Sequence, residues 1–244
     1  MKKENMIPKK IHYCWFGGKP LPKKLKKYID SWKKYCPDYE IIEWNEENYD
    51  VYKNQFISEA YRSQKYAFVS DYARLDIIYN NGGIYLDTDV ELIASLDNLL
   101  DFQCFMGNEE EGLVNSGLGF GAVKYSGFLK KIMEEYLVLD KINFENLDEL
   151  KRVSCVFMTL KVLKQMKWRS NDDFQDLGVV VILPTDYLCP YNFFTGKIKF
   201  TGNTKSIHHY DASWQTSFRS HLGKLKRTFL FALNRKINDM KRRK

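Results

Sequence analysis

The sequence predicts an α/β domain, because strand-like apolar segments alternate with helical patterns from the start of the chain. Ile11–Phe16 is a short apolar run that ends at two glycines, and Leu21–Tyr35 follows with helical spacing and a lysine-rich outer face. Glu40–Trp44 is a second short strand pattern. This strand–helix–strand order is expected of an α/β domain. Hydrophobic residues make up 44% of the 244 residues, which is enough for a sizeable core.

The alternation continues beyond this first unit. Ala67–Asn80 has the pattern of a helix, and Asn81–Gly82–Gly83 stops it, as glycines do at helix C-termini. Ile84–Leu86 is then a short apolar strand. Further strands are predicted at Val90–Ile93, Gly117–Val123 and Val179–Leu183, and further helices at Gly127–Leu139 and Val153–Met166. The composition changes clearly only near residue 222, so we expect one domain over 1–221 and a basic tail over 222–244.

The formal net charge of +7 is unevenly distributed along the chain. Residues 1–34 carry 11 lysines and 2 acidic residues, and residues 224–244 carry 9 basic residues and 1 aspartate. The intervening 35–223 contain 18 basic and 28 acidic residues, a net charge of −10. This acidic centre argues against a nucleic-acid groove. It suits a bound divalent cation, and the basic ends suit an anionic surface.

The chain has no stretch of 18 apolar residues, so no transmembrane helix is expected. The N-terminal MKKENMIPKK is charged but lacks an apolar core, so a secretory signal is not expected either. The five cysteines are widely spaced and form no CxxC pair. Reduced thiols in a cytoplasmic protein fit this pattern.

The first candidate for chemistry is Asp87–Thr88–Asp89, directly after the strand Ile84–Leu86. With 17 aspartates in the chain, about one Asp-x-Asp triplet is expected by chance, so the setting matters more than the motif. Carboxylates after a strand can converge at the sheet edge where open α/β folds bind ligands. In an extended segment both would point to one side and repel unless a cation lay between them. Mg²⁺ or Mn²⁺ with diphosphate oxygens fits, and a solvated acidic turn is the alternative.

The second candidate lies in the preceding helix, where Asp71 and Arg74 are three residues apart and share a face. An ordinary surface ion pair would explain them. The functional interpretation is a carboxylate for sugar hydroxyls and a guanidinium for phosphate or sugar.

Aromatic and histidine motifs near the two ends supply further candidates. In HYCWFGG (12–18), Trp15 precedes Phe16 and two glycines, and its ring would either stack on a base or belong to the core. In HHYDASW (208–214), His208 and His209 are either surface residues or metal ligands, and the Trp214 indole N–H could donate to phosphate.

Taken together and in order, the blocks IPKKIHYCWFGG, AFVSDYARLDIIYNNGGIYLDTDVEL and IHHYDASW resemble glycosyltransferase family 32. This family of DXD-containing sugar transferases includes bacterial capsular polysaccharide transferases and the yeast initiating mannosyltransferase. The catalytic domain of the large clostridial glucosylating toxins is similar. The resemblance spans about residues 7–214 and is strongest over 67–92. It implies a GT-A fold, in which helices flank a Rossmann-like nucleotide-sugar-binding sheet.

The resemblance also implies roles for individual residues on the donor side. Trp15 would stack on the base, Asn45 would contact the nucleoside, and Tyr85 would lie near the ribose or diphosphate. Asn115 would line the sugar site, and Trp214 would contact the donor phosphate. The complete donor-binding set implied is Trp15, Asn45, Ser70, Asp71, Arg74, Tyr85, Asn115 and Trp214.

For catalysis, the resemblance implies Asp71, Arg74, Asp87 and Asp89. The implied ligands of Mn²⁺ (or Mg²⁺) are Asp87, Asp89 and His209. Asp89 would bind the metal directly and Asp87 partly through water or ribose. The adjacent His208 stays open as the alternative to His209.

The resemblance therefore implies a metal-dependent, retaining glycosyltransferase that moves a hexose from a nucleotide sugar, with a UDP-linked donor favoured. The acceptor would be a saccharide or a lipid-linked saccharide, in surface polysaccharide biosynthesis. One alternative is a noncatalytic nucleotide- or glycan-binding module on the same fold. Another is a glycoside hydrolase with two carboxylates, which needs neither nucleotide nor metal.

The tail over 222–244 adds a prediction about location. Apolar residues recur there at three- and four-residue steps among many Lys and Arg, which predicts an amphipathic helix. Such a helix suits an anionic membrane surface and would place the protein peripherally at the inner face of the cell membrane. A helix packed on its own domain is the alternative.

Overall fold

The computed structural model describes residues 6–139, 141–192 and 196–211. The described strands are β1 (Lys10–Cys14), β2 (Glu40–Trp44), β3 (Gly83–Tyr85), β4 (Val90–Leu92), β5 (Cys104–Glu110), β6 (Leu113–Val114), β7 (Phe120–Ala122), β8 (Gln175–Asp176), β9 (Val181–Leu183) and β10 (Ser206–His208). The described helices are α1 (Lys23–Tyr35), α2 (Gln55–Arg62), α3 (Tyr66–Asn81), α4 (Gly127–Leu137), α5 (Leu147–Arg152), α6 (Cys155–Leu163) and α7 (Thr185–Leu188), and Asp97–Leu99 forms a 3₁₀ turn.

The main sheet has the strand order β2-β1-β3-β7-β5-β9-β8, and β6 pairs with β5. Strand β1 lies parallel to both β2 and β3, whereas β7 is antiparallel to its neighbours β3 and β5. A separate antiparallel pair joins β10 to β4. The carboxyl ends of β1, β2 and β3 therefore meet at one edge of the sheet, where α/β folds of this kind bind ligands.

Helices cover both faces of the sheet. Successive residues of β3 point to opposite faces, so each residue of this strand is buried and apolar. The fully buried Ile84 packs on one face with Ile29 and Trp32 of α1. Its neighbour Tyr85 is also buried but packs on the opposite face with Tyr72 of α3. A short strand that is buried on both faces has a continuous apolar sequence, as predicted.

The predicted elements are found with shifted ends. Glu40–Trp44 is found as predicted, and the predicted helix Ala67–Asn80 extends by one residue at each end. The predicted Gly117–Val123 strand shrinks to Phe120–Ala122, because Asn115–Leu118 forms a turn. Among the described residues, no helix has both the length and the apolar character to span a bilayer. The predicted tail over 222–244 lies outside the described residues.

A buried histidine fixes the turn between α3 and β3. Trp44 Nε1 donates to His12 Nδ1 at 3.0 Å, so the proton of the neutral ring lies on Nε2, which is 3.0 Å from the Gly82 carbonyl oxygen. His12 is fully buried, and a Cβ on Gly83 would lie 2.9 Å from its Nε2. His12 therefore helps to set the path of the chain toward Asp87.

Acidification is expected to destabilise the fold through His12. Burial lowers the pKa of His12 from 6.5 to about 4. Between these pH values the unfolded chain binds the proton and the folded chain does not, so stability falls as the pH falls. We expect this residue to account for about 2 kcal/mol of the stability lost between pH 7.5 and pH 5. Urea unfolding at both pH values checks this: His12→Gln should be less stable at pH 7.5 but lose less on acidification. An equal loss in both proteins would contradict it.

Candidate functional site

The Asp87–Asp89 segment leaves the sheet edge at the end of β3. It is a turn rather than the extended segment that the sequence predicted, since the Val90 N–H donates to the Asp87 carbonyl at 3.0 Å. The turn still brings both carboxylates together. Tyr85 O–H donates to Asp87 Oδ1 at 2.9 Å and thereby orients that carboxylate from inside the sheet.

A histidine from the far end of the chain joins the two aspartates. Strand β10 pairs with β4 so that His208 lies opposite Val90, directly after the turn. Its Nε2 is 3.2 Å from Asp89 Oδ1. One ligand atom from each of Asp87, Asp89 and His208 lies within 4.8 Å of the others. These three residues form the Asp–Asp–His cluster.

The structure places His208, not His209, in this cluster, which corrects the sequence-based choice of His209. His209 directly follows β10, and successive residues of an extended segment point to opposite sides, so the two neighbouring imidazoles diverge. His209 Nε2 lies 2.8 Å from Glu91 Oε2, and its ring stacks on Tyr28 with centroids 4.4 Å apart. Its backbone N–H still donates to the Asp89 carbonyl at 3.0 Å. His209 thus holds the turn without facing the cluster.

The donor set and its electrostatics fit a divalent cation. Burial is the main cause that raises the pKa of the Asp87 carboxyl; Arg74 opposes this rise, and the negative charge of Asp89 adds to it. A bound cation would relieve the repulsion between the two carboxylates. Two carboxylates and one imidazole nitrogen suit Mn²⁺, which accepts both oxygen and nitrogen ligands. Mg²⁺ prefers oxygen ligands and would be held mainly by the two carboxylates.

Replacing each of the two histidines in turn tests which one binds the metal ion. We expect His208→Ala to weaken Mn²⁺ binding by at least about tenfold, because it removes a nitrogen ligand. The matched variant His209→Ala should bind Mn²⁺ within about twofold of the unsubstituted protein, since its ring faces Glu91 and Tyr28. Titration of the protein with Mn²⁺, followed by electron paramagnetic resonance, measures both. A larger loss for His209→Ala than for His208→Ala would overturn the assignment.

Arg74 lies beside the cluster with its side chain only 5% exposed. Its Nη2 is 3.1 Å from Asp71 Oδ1 and 3.2 Å from Asp87 Oδ1, and its Nε donates to the Ser70 carbonyl. The guanidinium also lies 4.9 Å from the centroid of the Tyr85 ring. Its Nη1 is buried and has no hydrogen-bond partner among the described residues. A buried donor without a partner is the kind of group that a ligand satisfies.

Both carboxylates around Arg74 are held in place. Asp71 Oδ1 pairs with the guanidinium, and its Oδ2 accepts the Cys155 N–H at the start of α6 at 3.3 Å. Burial acts to lower the pKa of Arg74, but Asp87, Tyr85 and Asp71 together hold that pKa well above its ordinary value. Arg74 therefore stays cationic in the buried site.

Gly117, which has no side chain, allows three polar groups of the site to lie close together. A Cβ on Gly117 would lie 2.7 Å from Asp87 Oδ2, 3.1 Å from Asn115 Oδ1 and 3.2 Å from Arg74 Nη1. Asn115 Oδ1 accepts the Gly117 N–H at 2.7 Å and lies 3.3 Å from the Cys155 thiol. We call Asp87, Asn115 and Arg74, where they surround Gly117, the polar recess; these side chains offer hydrogen-bonding groups to a polyhydroxylated ligand.

Comparison with protein families bears on this site. Residues 22–106, which include Asp71, Arg74, Asp87 and Asp89, match the family model described as a glycosyltransferase sugar-binding region containing a DXD motif. The match covers 85 of the 244 residues, and over this region the chain is similar to DXD-containing glycosyltransferases. This confirms the resemblance that the sequence blocks indicated.

Curated relatives of this chain include yeast enzymes. It is 32% identical over 123 residues to inositol phosphoceramide mannosyltransferase 3 of Schizosaccharomyces pombe, covering 47% of this chain and 33% of the relative. It is 26% identical over 223 residues to a mannosyl phosphorylinositol ceramide synthase of Saccharomyces cerevisiae, covering 89% of this chain and 57% of the relative. The chain thus spans between a third and three fifths of the length of these two relatives.

Among solved structures, the chain is similar to the PaToxG glycosyltransferase, with a TM-score of 0.52 and 22% identity. The match covers 66% of this chain and 69% of that one. This likeness shows the fold alone, and it confirms the predicted GT-A architecture.

The remaining predicted donor residues are placed as follows. Trp15 and Asn45 follow β1 and β2 at the same sheet edge as Asp87, and the Trp15 N–H donates to the Trp44 carbonyl at 2.8 Å. The half-buried Trp15 indole donates to the Lys19 carbonyl. Asn45 forms the turn after β2, with its Oδ1 accepting the Glu47 N–H. Trp214 lies outside the described residues, and its role stays a prediction.

Sequence reasoning missed Gly117 and Cys155 as parts of the site. Asn115 was singled out, but nothing in the sequence showed that the Gly117 position faces Asp87. Cys155 lies 84 residues from Asp71, and only the packing of α6 on α3 brings its N–H to that carboxylate. Glycine and cysteine occur in many structural settings, so neither residue by itself indicated a functional site.

Proposed function

We propose that this protein is a metal-dependent, retaining glycosyltransferase that moves a hexose from a nucleotide-sugar donor to a saccharide or lipid-linked acceptor. The observation that carries the proposal is the Asp–Asp–His cluster beside Arg74 Nη1, which has no hydrogen-bond partner among the described residues. A noncatalytic module that bound a nucleotide sugar through a cation would use the same groups, and the donor panel described below distinguishes it from an enzyme. In a glycoside hydrolase, nothing would require the metal ligands.

Asp87, Asp89 and His208 would hold Mn²⁺ or Mg²⁺. When bound, such a cation supplies stabilisation for the negative charge that develops on a departing nucleoside diphosphate. The chain itself contributes a fixed positive charge, since Arg74 is held by Asp71 and Asp87 before any ligand arrives. Preorganised charge of this kind costs no rearrangement at the moment of reaction.

The polar recess at Gly117 supports binding of the donor sugar. Arg74 Nη1 would donate to a sugar or phosphate oxygen, and Asn115, oriented by the Gly117 N–H and Cys155, would contact hydroxyls. Both oxygens of Asp71 are engaged, by Arg74 and by the Cys155 N–H, which makes Asp71 a poor covalent nucleophile. This supports retention by attack on the same face, with the leaving phosphate accepting the acceptor proton.

The names of the curated relatives favour mannose as the transferred sugar and an inositol phosphoceramide-like lipid as the acceptor. The sequence resemblance favours a UDP-linked donor and surface polysaccharide synthesis. The inositol phosphoceramide-like lipid and the surface polysaccharide are both polyhydroxylated acceptors, and both can be lipid-linked. Synthesis at the inner face of the cell membrane, with the basic tail at the lipid surface, is consistent with either.

A donor panel tests the proposal. The full chain is incubated with UDP-hexoses, UDP-N-acetylhexosamines and GDP-mannose, with and without Mn²⁺, and release of nucleoside diphosphate is measured. We expect release with one donor class, dependent on Mn²⁺, and retention of the anomeric configuration by NMR of the product. Tight donor binding without release under any condition, including with saccharide and lipid acceptors, would instead support the noncatalytic module.

A further inference from the structure

Glu109 lies near the carboxyl end of β5, between the polar recess and the residues that follow the metal ligand His208. This half-buried carboxylate accepts a hydrogen bond from Asn115 Nδ2 through its Oε2 at 3.0 Å. It is also a hydrogen-bond partner of the Tyr210 hydroxyl, and its charge adds to burial in raising the pKa of that tyrosine. One carboxylate therefore contacts both a residue of the polar recess and a residue beside the metal site.

The contact with Glu109 fixes the orientation of the Asn115 amide. An ionised carboxylate only accepts hydrogen bonds, so it takes the amide nitrogen. The Asn115 oxygen is thereby left to accept the Gly117 N–H at 2.7 Å, on the side where the groups of the polar recess meet. The Cys155 thiol lies 3.3 Å from the same oxygen, but a thiol is a weak donor that a sugar hydroxyl could replace. Glu109 thus determines that the recess presents an acceptor oxygen at this point.

Tyr210 holds the other side of this carboxylate, and its backbone is strained. Its φ is 53°, in the left-handed region that a tyrosine rarely adopts and that persists only where the surroundings enforce it. The ring packs edge-on against His208 with centroids 4.3 Å apart, and the hydroxyl lies 3.0 Å from the Cys189 sulfur. Contacts on several sides therefore fix Tyr210, and with it the position of Glu109 relative to the metal ligand.

We propose that Glu109 is a positioning residue for the donor sugar, which acts by holding the Asn115 carbonyl oxygen toward Gly117 in the polar recess. The sugar hydroxyl would then donate to an oxygen that is already in place, so that no amide rotation is needed when the donor binds. The inference rests on the proposed function for the identity of the ligand. The orientation of the amide is a property of the protein alone and is tested without a ligand.

Proton exchange at the Asn115 side-chain amide tests the orientation in the full chain. The ¹⁵N–¹H signal is assigned by its absence in Asn115→Ala, and its exchange with solvent is measured by NMR. Loss of a hydrogen bond to a charged acceptor should make exchange at least about tenfold faster in Glu109→Ala. The matched control is Glu134→Ala on the exposed side of α4, which should stay within about twofold. Unchanged exchange in Glu109→Ala would overturn the proposal.

Donor affinity then tests whether this orientation matters for binding. UDP-glucose and GDP-mannose are titrated into the protein with Mn²⁺, followed by calorimetry. We expect Glu109→Ala to weaken binding of the accepted nucleotide sugar by about tenfold. In the Asn115→Ala background the same substitution should change the affinity by less than about twofold, because Glu109 acts through Asn115.

Two results of the titration would overturn the proposal. Unchanged affinity in Glu109→Ala would show that the amide orientation has no part in donor binding, and an equal loss in the Asn115→Ala background would show that Glu109 acts by another route. If the unsubstituted protein bound neither nucleotide sugar, the proposed function would fail, whereas unchanged amide exchange overturns this inference alone. Glu109→Gln keeps the side-chain shape and should show the same effects at smaller size, since a neutral oxygen accepts more weakly. Circular dichroism confirms that each variant is folded.

Discussion

Replacement of Asp89 with asparagine is expected to lower metal-dependent sugar transfer by at least about 100-fold without unfolding the chain. Asp89 Oδ1 faces His208 Nε2 at 3.2 Å, and its Oδ2 accepts the Asp211 N–H at 2.9 Å. Asparagine keeps the size and one acceptor oxygen, so the turn should persist, but it removes one negative charge from the cation site. Initial rates with saturating donor and a titration of Mn²⁺ measure the effect.

The matched control for this variant is Asp97→Asn. Asp97 pairs with Lys9 and accepts from Tyr39 near the surface, away from the Asp–Asp–His cluster. We expect its transfer rate to stay within about twofold of the unsubstituted protein, as for a surface ion pair. Near-normal turnover of Asp89→Asn, with Mn²⁺ added or removed, would contradict the assignment of Asp89 as a metal ligand. An equal loss of transfer in Asp97→Asn would point to a general effect on folding.

Gly117→Ala is expected to lower transfer by about 100-fold while leaving most of the fold intact. The new methyl would lie 2.7 Å from Asp87 Oδ2 and 3.2 Å from Arg74 Nη1, so the carboxylate or the guanidinium must move. Displacement of a catalytic group by about 1 Å can cost a factor of about 100 in rate. Overpacking a site of this kind costs about 1–3 kcal/mol of stability. The transfer rate and the urea midpoint are measured together.

Gly127→Ala is the control for Gly117→Ala. Gly127 is the first residue of α4, and a Cβ there would meet nothing within 4 Å. Alanine at this helical position should leave transfer unchanged and stabilise the fold by up to about 1 kcal/mol. If Gly117→Ala transferred sugar as well as Gly127→Ala does, the polar recess would have no part in donor binding.

Much of the fold could be predicted, because its central elements are short and their signals are local. Strand β2 and helix α3 have clear apolar patterns, and Gly82–Gly83 marks the end of that helix. Helix α2 and strand β5 were not predicted. Strand β5 runs from Cys104 into acidic residues, and the acidic end obscures the strand pattern. Helix α2 is only eight residues long, so its apolar pattern is brief, and the capping side chain of Asn54 was the further signal.

The candidate site likewise has residues that the sequence predicted and one residue that the sequence could not assign. Asp71, Arg74, Asp87 and Asp89 lie within one continuous block, and that block alone indicated both the family and the chemistry. The histidine lies about 120 residues later, so its identity depends on how β10 pairs with β4. A shift of one residue in that register would exchange His208 for His209. No local pattern in the sequence distinguishes two adjacent histidines.

The sequence by itself determined the α/β class, the resemblance to DXD-containing glycosyltransferases and the acidic motif, because each of these depends on neighbouring residues or on local periodicity. Only the tertiary structure decided that His208 completes the cluster, that Arg74 Nη1 has no hydrogen-bond partner among the described residues, and that Gly117 lets Asp87, Asn115 and Arg74 lie close together. These features depend on strand register and on helix packing between residues far apart in the chain. They follow from long-range contacts, which a single sequence does not specify locally.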